Sequence, residues 1–290
     1  MSKDKDIILM IIPALVLIAV LMLYPVVQCF IMSFTEQMLY ELEGKWVGLK
    51  NYAKLLKDPE FWQSFKITIV WTFGTVIFQT ILGVGSALLL YKKFFGRGLV
   101  RAFTLLPFFT PGVSIYLVWR WMYNDISGIF NHILMASGII GKPILWLATP
   151  KLALFSVIIM ATWRYFPFVM INILARLESI PESLFDAAKV DGANSWQIFW
   201  NVTIPQIREV LLIVVFLRVI WMSQKFEELF VVTGGGPAGS TTTLALLSYE
   251  QAFGAMRLGY ASAINVIIFV ILVIMAAIYI TVFKPTEQTV

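Results

Sequence analysis

Two arginines pose the first chemical question. Arg164 and Arg218 lie inside stretches otherwise apolar enough to cross a bilayer. A charge at that depth is costly and marks a solute pathway by default. Arg164 and Phe168, four residues apart, share a helix face, and Tyr165 lies beside Phe168. Arg218, Trp221 and Lys225, at spacings of three and seven, share another. Guanidinium donors bond hydroxyl and phosphate oxygens alike, so these six residues read as candidates for lining a solute path and leave the solute's class open. The same types also serve packing. Arg164 and Arg218 would then pair with Glu227, Glu228 or a neighbouring subunit, and the aromatic rings would fill a helix bundle. Both readings stand at this level.

Catalytic chemistry is poorly supplied. His132 is the lone histidine, which excludes a multi-histidine metal site, and Cys29 is the lone cysteine, which excludes an internal disulfide and reads as a small apolar side chain. A membrane-embedded hydrolase needs a nucleophile with a base, yet His132 falls in an expected outer loop and no spacing points to a Ser–Lys pair. No Gly-x-x-x-x-Gly-Lys-Ser/Thr phosphate loop occurs. The chain is expected not to be an enzyme and to hold no nucleotide, metal or other cofactor itself.

A third group of residues is polar and sits between apolar stretches. Ser183 is placed to cap a helix, with Asp186 three residues on in the manner of a capping box. Leu184, Phe185 and Ala188 form an apolar stripe, and Lys189 and Asp191 face out. Gly192 stands where a helix ends in positive φ. Asn194 or Ser195 caps the next helix, whose apolar face carries Trp196, Phe199 and Trp200, and Pro205 is expected to break the chain before the following span. A short turn would join two spans, so 183–197 is more elaborate than a connection requires. Periodicity leaves two readings: an amphipathic helix lying on the inner membrane face, or a handle for a partner.

The elements that must position these residues are membrane helices. Hydrophobic residues make up 59% and charged residues 13%. A soluble domain carries about 25% charge, so the composition belongs to a bilayer. A hydrocarbon core of about 30 Å takes about 20 apolar residues per helix. Six stretches qualify, at about 7–32, 67–90, 102–122, 152–174, 210–232 and 261–283. The first reads as a retained anchor rather than a signal peptide, and 1–290 as one transmembrane domain with no room for a catalytic one. Lys92, Lys93, Arg97 and Arg101 place the loop after the second span inside the cell. Parity then puts both termini and the 175–208 loop in the cytoplasm. Pro107, Pro111 and Pro167 are expected to interrupt spans, and Gly83 and Gly85 to allow close helix contact. The net charge of +5 is scattered with no aromatic–basic stripe, so no nucleic-acid partner is expected.

The polar loop carries a resemblance. Asp186-Ala187-Ala188, three residues, Gly192, nine residues and Val202-Thr203-Ile204-Pro205 resemble the signature loop of binding-protein-dependent ABC importer permeases: Glu-Ala-Ala, three residues, Gly, nine residues, Ile-x-Leu-Pro. Asp for Glu, Val for Ile and Ile for Leu are conservative departures. Trp46 to Tyr52, Asp58 to Trp62, Trp163 to Phe168, Thr233 to Pro237 and Gly259 to Ala263 resemble further segments of carbohydrate-type permeases in the same order. The resemblance implies a type I importer membrane domain of the maltose and glycerol-3-phosphate kind, in a bacterial-type inner membrane. It implies that Asp186, Ala187, Ala188, Asp191, Gly192, Ala193 and Pro205 belong to a coupling loop that docks on a cytoplasmic ATPase. It also implies a second permease (a heterodimer), two ATPase subunits that bind ATP and Mg, and an external solute-binding protein. An ion-coupled secondary transporter is the alternative, which would need paired intramembrane carboxylates or inverted repeats; neither is visible.

Overall fold

The computed structural model describes residues 3–283. The expected cytoplasmic C-terminal tail, 284–290, falls outside them. In chain order the elements are α1 (Lys3–Ile18), a π-helical turn (Ala19–Leu23), α2 (Tyr24–Ser33), β1 (Thr35–Glu36), β2 (Lys45–Trp46), α3 (Lys50–Lys57), α4 (Pro59–Tyr91), α5 (Arg97–Phe109), α6 (Gly112–Met122), α7 (Ile129–Ala136) and α8 (Pro150–Glu178). Then follow α9 (Glu182–Val190), α10 (Ser195–Ile198), a second π turn (Phe199–Thr203), α11 (Ile204–Gln224), α12 (Glu227–Val232), α13 (Leu244–Tyr249), a third π turn (Glu250–Gly254) and α14 (Leu258–Phe283). The fold is a helical membrane fold, relieved only by the β1–β2 hairpin among the described residues.

Four helical stretches are long and apolar enough to cross a membrane: Ile11–Ser33, Pro59–Tyr91, Pro150–Glu178 and Leu258–Thr281. The expected third span is not straight. α5 and α6 meet at 95°. Pro111 has no N–H to continue the ladder, and Thr110 before it takes the extended conformation that a following proline favours (φ −71°, ψ 141°). Pro107 and Pro167, by contrast, sit within continuous α5 and α8 and interrupt neither. The expected fifth span is also corrected. α11 ends at Gln224, Lys225 is extended (φ −70°, ψ 125°), and α12 starts two residues later. α11 carries Arg208, Glu209 and Arg218 within 21 residues, too dense a charge for it to join those four stretches.

The chain divides into two compact units, Met1–Phe65 with Leu244–Val290, and Lys66–Thr243. In the first, α2 lies along α14, with Phe30 edge-on to Phe269 at 5.5 Å. Leu55, Phe61, Leu244, Leu247 and Ile264 form its core. The buried Asn51 amide donates to the carbonyls of Ser33 and Thr35, both at 2.9 Å, which ties α3 to the end of α2. Beside the hairpin, Lys50 bonds Glu36 at 2.9 Å and holds that carboxyl below the ordinary glutamate range. Cys29 is a free, half-buried thiol.

The second unit is built around α8, whose buried residues recur along its length. Val169, Met170, Ile173, Leu174 and Leu177 of α8 pack with Ala87 and Leu90 of α4 and with Ile207 and Val214 of α11. Gly83 allows that approach. A Cβ there would lie 2.6 Å from Val169 Cβ and 2.8 Å from its Cγ1. A Cβ at Gly85 meets nothing within 4 Å, so the close-contact expectation holds for Gly83 alone. Lipid is as apolar as these side chains, so contact density and hydrogen bonds, more than exclusion from water, hold the helices together.

Candidate functional site

Both groups of sequence-predicted site residues lie in the second unit. The loop group starts where α8 ends. Ser179 and Ile180 turn the chain, and Pro181 (φ −57°, ψ 129°) leads into α9. Ser183 therefore does not cap. It lies inside the helix, the N-cap is Pro181, and no side chain caps the end. Glu182 supplies negative charge to the first turn instead, where the helix dipole favours it. The far end of α9 is as the spacing predicts. Ala193 N–H donates to Ala188 O and Gly192 N–H to Lys189 O, both at 3.0 Å, with Gly192 at φ +81°. This 6→1 and 5→2 pair needs a left-handed residue at position 192. Asn194 caps α10 in a reciprocal box with Gln197, its side-chain oxygen accepting from Gln197 N–H at 2.9 Å. Pro205 does not break the chain. The π turn Phe199–Thr203 runs directly into α11, and Pro205 occupies its first turn, where no N–H is needed.

No residue of α9 is buried. Asp186 and Lys189 pair at 2.9 Å in open solvent, so the Asp186 carboxylate is loosely held. Val190 is 88% exposed and Trp196 69% exposed. The rings of Trp196, Phe199 and Trp200 pack on one another. Beneath this bare surface the loop is clamped. Phe185 joins the α8–α11 core and meets the Tyr91 ring at 6.1 Å. Glu178 accepts from Arg101 Nη2 at 2.8 Å and also from Arg97. Lys93 faces Glu182 at 3.6 Å, and Arg176 Nε donates to Gln206 O at 2.8 Å. Sequence reading assigned Lys93, Arg97 and Arg101 only to topology. The acids at 178 and 182, close to a loop of four cations and no acid, were the available signal.

The membrane group converges on Tyr165. Arg218 Cζ stands 4.7 Å from the Tyr165 ring centre, Arg164 Cζ 5.3 Å and Lys225 Nζ 5.5 Å. Phe168 and Trp221 meet edge to face at 5.1 Å, with Arg218 5.9 Å and 5.8 Å from their rings. All six predicted path residues are thus neighbours. The route by which Lys225 arrives differs from the seven-residue helical face: α11 has already ended, and the extended backbone at 225 delivers the side chain.

The arginines do not pair with Glu227 or Glu228. Among the described residues, neither has a carboxylate partner within 4.0 Å. Arg218, 2% exposed, donates from Nε to Gln79 Oε1 at 2.9 Å and from Nη2 toward Met222 Sδ at 3.0 Å. Arg164, 8% exposed, lies over the Tyr116 and Tyr165 rings, and its Nε and Nη1 have no hydrogen-bond partner. Glu228 is fully buried on α12. It accepts from Tyr165 Oη at 2.5 Å and lies 3.9 Å from Lys225 Nζ. Tyr116 of α6 bonds Tyr165 at 3.1 Å and extends the chain. Gln79 and Tyr116 were missed by sequence reading. An amide inside the second apolar stretch was a usable signal for Gln79; nothing local marked Tyr116.

Next to this cluster is a cleft of about 550 Å³, lined among others by Phe108, Tyr165, Arg218, Trp221, Lys225 and Glu227. It offers aromatic faces, cationic donors and a carboxylate acceptor, the groups that bind polyhydroxylated solutes, and it holds no nucleophile–base pair.

Residues 79–286 match the family described as binding-protein-dependent transport system inner membrane component. The chain is 36% identical over 274 residues to the trehalose/maltose transport system permease protein MalF of Thermococcus litoralis, covering 94% of this chain and 92% of that one. It is 35% identical over 271 residues to the lactose transport system permease protein LacF of Rhizobium radiobacter, covering 91% and 89%. Among solved structures, a bacterial alginate ABC transporter in complex with an alginate pentasaccharide-bound periplasmic protein superposes with a TM-score of 0.82. That likeness is at 20% identity and covers 97% of this chain and 96% of the other.

Proposed function

This chain belongs to the binding-protein-dependent transport system inner membrane component family, and from that premise we propose that it is the permease subunit of an ABC importer for a sugar or sugar-like solute, driven by ATP hydrolysed on partner subunits. It is an integral inner-membrane component. The sugar assignment draws on relatives named for trehalose, maltose and lactose. The single observation that carries the coupling role is the contrast within the cytoplasmic loop: α9 buries none of its residues, while Phe185, Glu178 and Arg176 anchor the loop to the membrane helices. A helix lying passively on lipid needs no ion-paired clamp. A helix that receives a push does, because displacement is transmitted only through parts that do not yield.

In this reading an ATPase grips Asp186, Ala187, Ala188, Asp191, Gly192 and Ala193. Pro205, at the head of α11, passes the movement to the helix that carries Arg218. A second permease completes the pathway, two ATPases supply ATP and Mg, and an extracytoplasmic binding protein delivers solute. Arg164, Tyr165, Phe168, Arg218, Trp221 and Lys225 line or support the path.

The test is a complex of this chain with its partners in proteoliposomes. Asp186→Lys is expected to abolish uptake and loosen ATPase association, with normal membrane insertion. Normal uptake with an intact complex would overturn the coupling assignment.

A further inference from the structure

Five charged groups meet at the Tyr165 cleft, and their balance names a solute class. The cations are Arg164, Arg218 and Lys225; the carboxylates are Glu227 on the lining and Glu228 behind it. The two acids are differently placed. Glu228 accepts from the Tyr165 hydroxyl through one oxygen and lies 3.9 Å from Lys225, its second oxygen being buried without a hydrogen bond, and Glu227 is exposed. Among the described residues, neither buried guanidinium has a carboxylate within 4.0 Å: their direct contacts are an amide oxygen, a thioether sulfur and aromatic rings, and Glu228 attracts Arg218 only from farther away. A thioether is a weak acceptor. A buried charge without a counter-ion is costly, and Arg164 additionally leaves two N–H-bearing nitrogens unbonded. The hydroxyls of a neutral sugar would add hydrogen bonds but would not offset the excess cation.

We infer that the cleft selects a sugar carrying one negative charge, such as a carboxylate on the ring, over its neutral counterpart. The inference rests on the path reading above and deepens it. The anion faces Arg218 and Lys225 on the cleft wall, with Arg164 adding positive potential from beside Tyr165. Glu227 limits the excess to a single charge, so the site suits a carboxylate better than a doubly ionised phosphate.

The test is uptake by the full complex, with its binding protein, of two matched probes: a disaccharide with a single galacturonate ring and the same disaccharide with galactose in its place. Two substitutions at the same cleft carry opposite expectations. Lys225→Gln, which removes a cation, should lower the acidic-to-neutral uptake ratio by about three- to tenfold, the range expected for one unit charge across a wet cleft. Glu227→Gln, which removes an anion, should raise that ratio by a similar factor. A purely structural role would move both variants in the same direction and leave the ratio unchanged. The inference is overturned if the neutral probe is carried as well as the acidic one and neither substitution changes the ratio; sugar import would then survive without charge selection. If neither probe, nor any other sugar, is carried or stimulates ATP hydrolysis, the underlying path reading falls and the inference with it.

Discussion

Gly192 offers a measurement in which strain within the chain separates from contact with a partner. The residue holds φ +81°, and a Cβ built on it meets nothing within 4 Å. Gly192→Ala therefore creates no clash in this subunit, and its cost is the backbone cost of a left-handed L-residue, about 1–2 kcal/mol. That corresponds to a factor of about 5–30 in the population of the turn that ends α9. Asn tolerates the left-handed region better and should cost less, and β-branched Val should cost more. The expected order of initial uptake rates in proteoliposomes is Gly, Asn, Ala, Val, at equal amounts of assembled complex. Asp is nearly isosteric with Asn and shares its tolerance of this conformation. Since the space around position 192 is open in this chain, a loss in Gly192→Asp relative to Gly192→Asn beyond the roughly 0.3–1 kcal/mol that an anion at the C-terminal end of α9 costs within the chain reports a surface supplied by another subunit. Wild-type uptake and ATP consumption per solute in the Ala and Val variants would refute the argument that this turn transmits work.

Three further outcomes are expected. Glu178→Arg should repel Arg97 and Arg101, reducing uptake, and the triple variant with Arg97→Glu and Arg101→Glu should recover it; failure of the swap to restore uptake would remove the clamp from the account. Gly83→Ala forces a methyl against Val169 and should lower stability by about 1–3 kcal/mol, seen as a reduced unfolding midpoint in detergent; an unchanged midpoint would mean that α4 and α8 separate at no cost. Burial, followed by the charge of Glu60, pushes the Glu250 carboxyl above the usual glutamate range. Its contribution is fully present below the ordinary value of about 4.3 and is lost as pH rises through the raised pKa, so Glu250→Gln should flatten the stability–pH profile just above that value; an identical profile in the variant would contradict the burial argument.

Local signals in the chain were reliable where one residue's own chemistry sets the outcome. Gly192 is left-handed because a helix closing with 6→1 and 5→2 bonds needs a residue there without a Cβ penalty. Asn194 caps because its side-chain oxygen reaches the N–H of Gln197 three residues on. The cap assigned to Ser183 failed for a reason of the same local kind: Pro181 already sets the entry angle, so the helix begins one residue before the serine. Pro111 bends a span and Pro167 does not, although both are prolines in apolar runs; the residue type alone did not separate them.

By itself the sequence determined that this is a membrane protein of helices and which charged and aromatic residues fall within its apolar stretches. Those properties follow from side-chain transfer into lipid and from helical periodicity, both short-range. Tertiary structure alone decided what those residues face. Arg218 meets Gln79 across 139 positions, Tyr165 meets Glu228 across 63, and Tyr116 meets Tyr165 across 49. Periodicity states which side of a helix a residue occupies, but the partner on that side depends on how α4, α6, α8, α11 and α12 pack. The break at Lys225 shows the same division. A helix running on through 232 would carry Glu228 along the same rod as Arg218; the extended residue redirects the chain and places that carboxylate under Tyr165 instead.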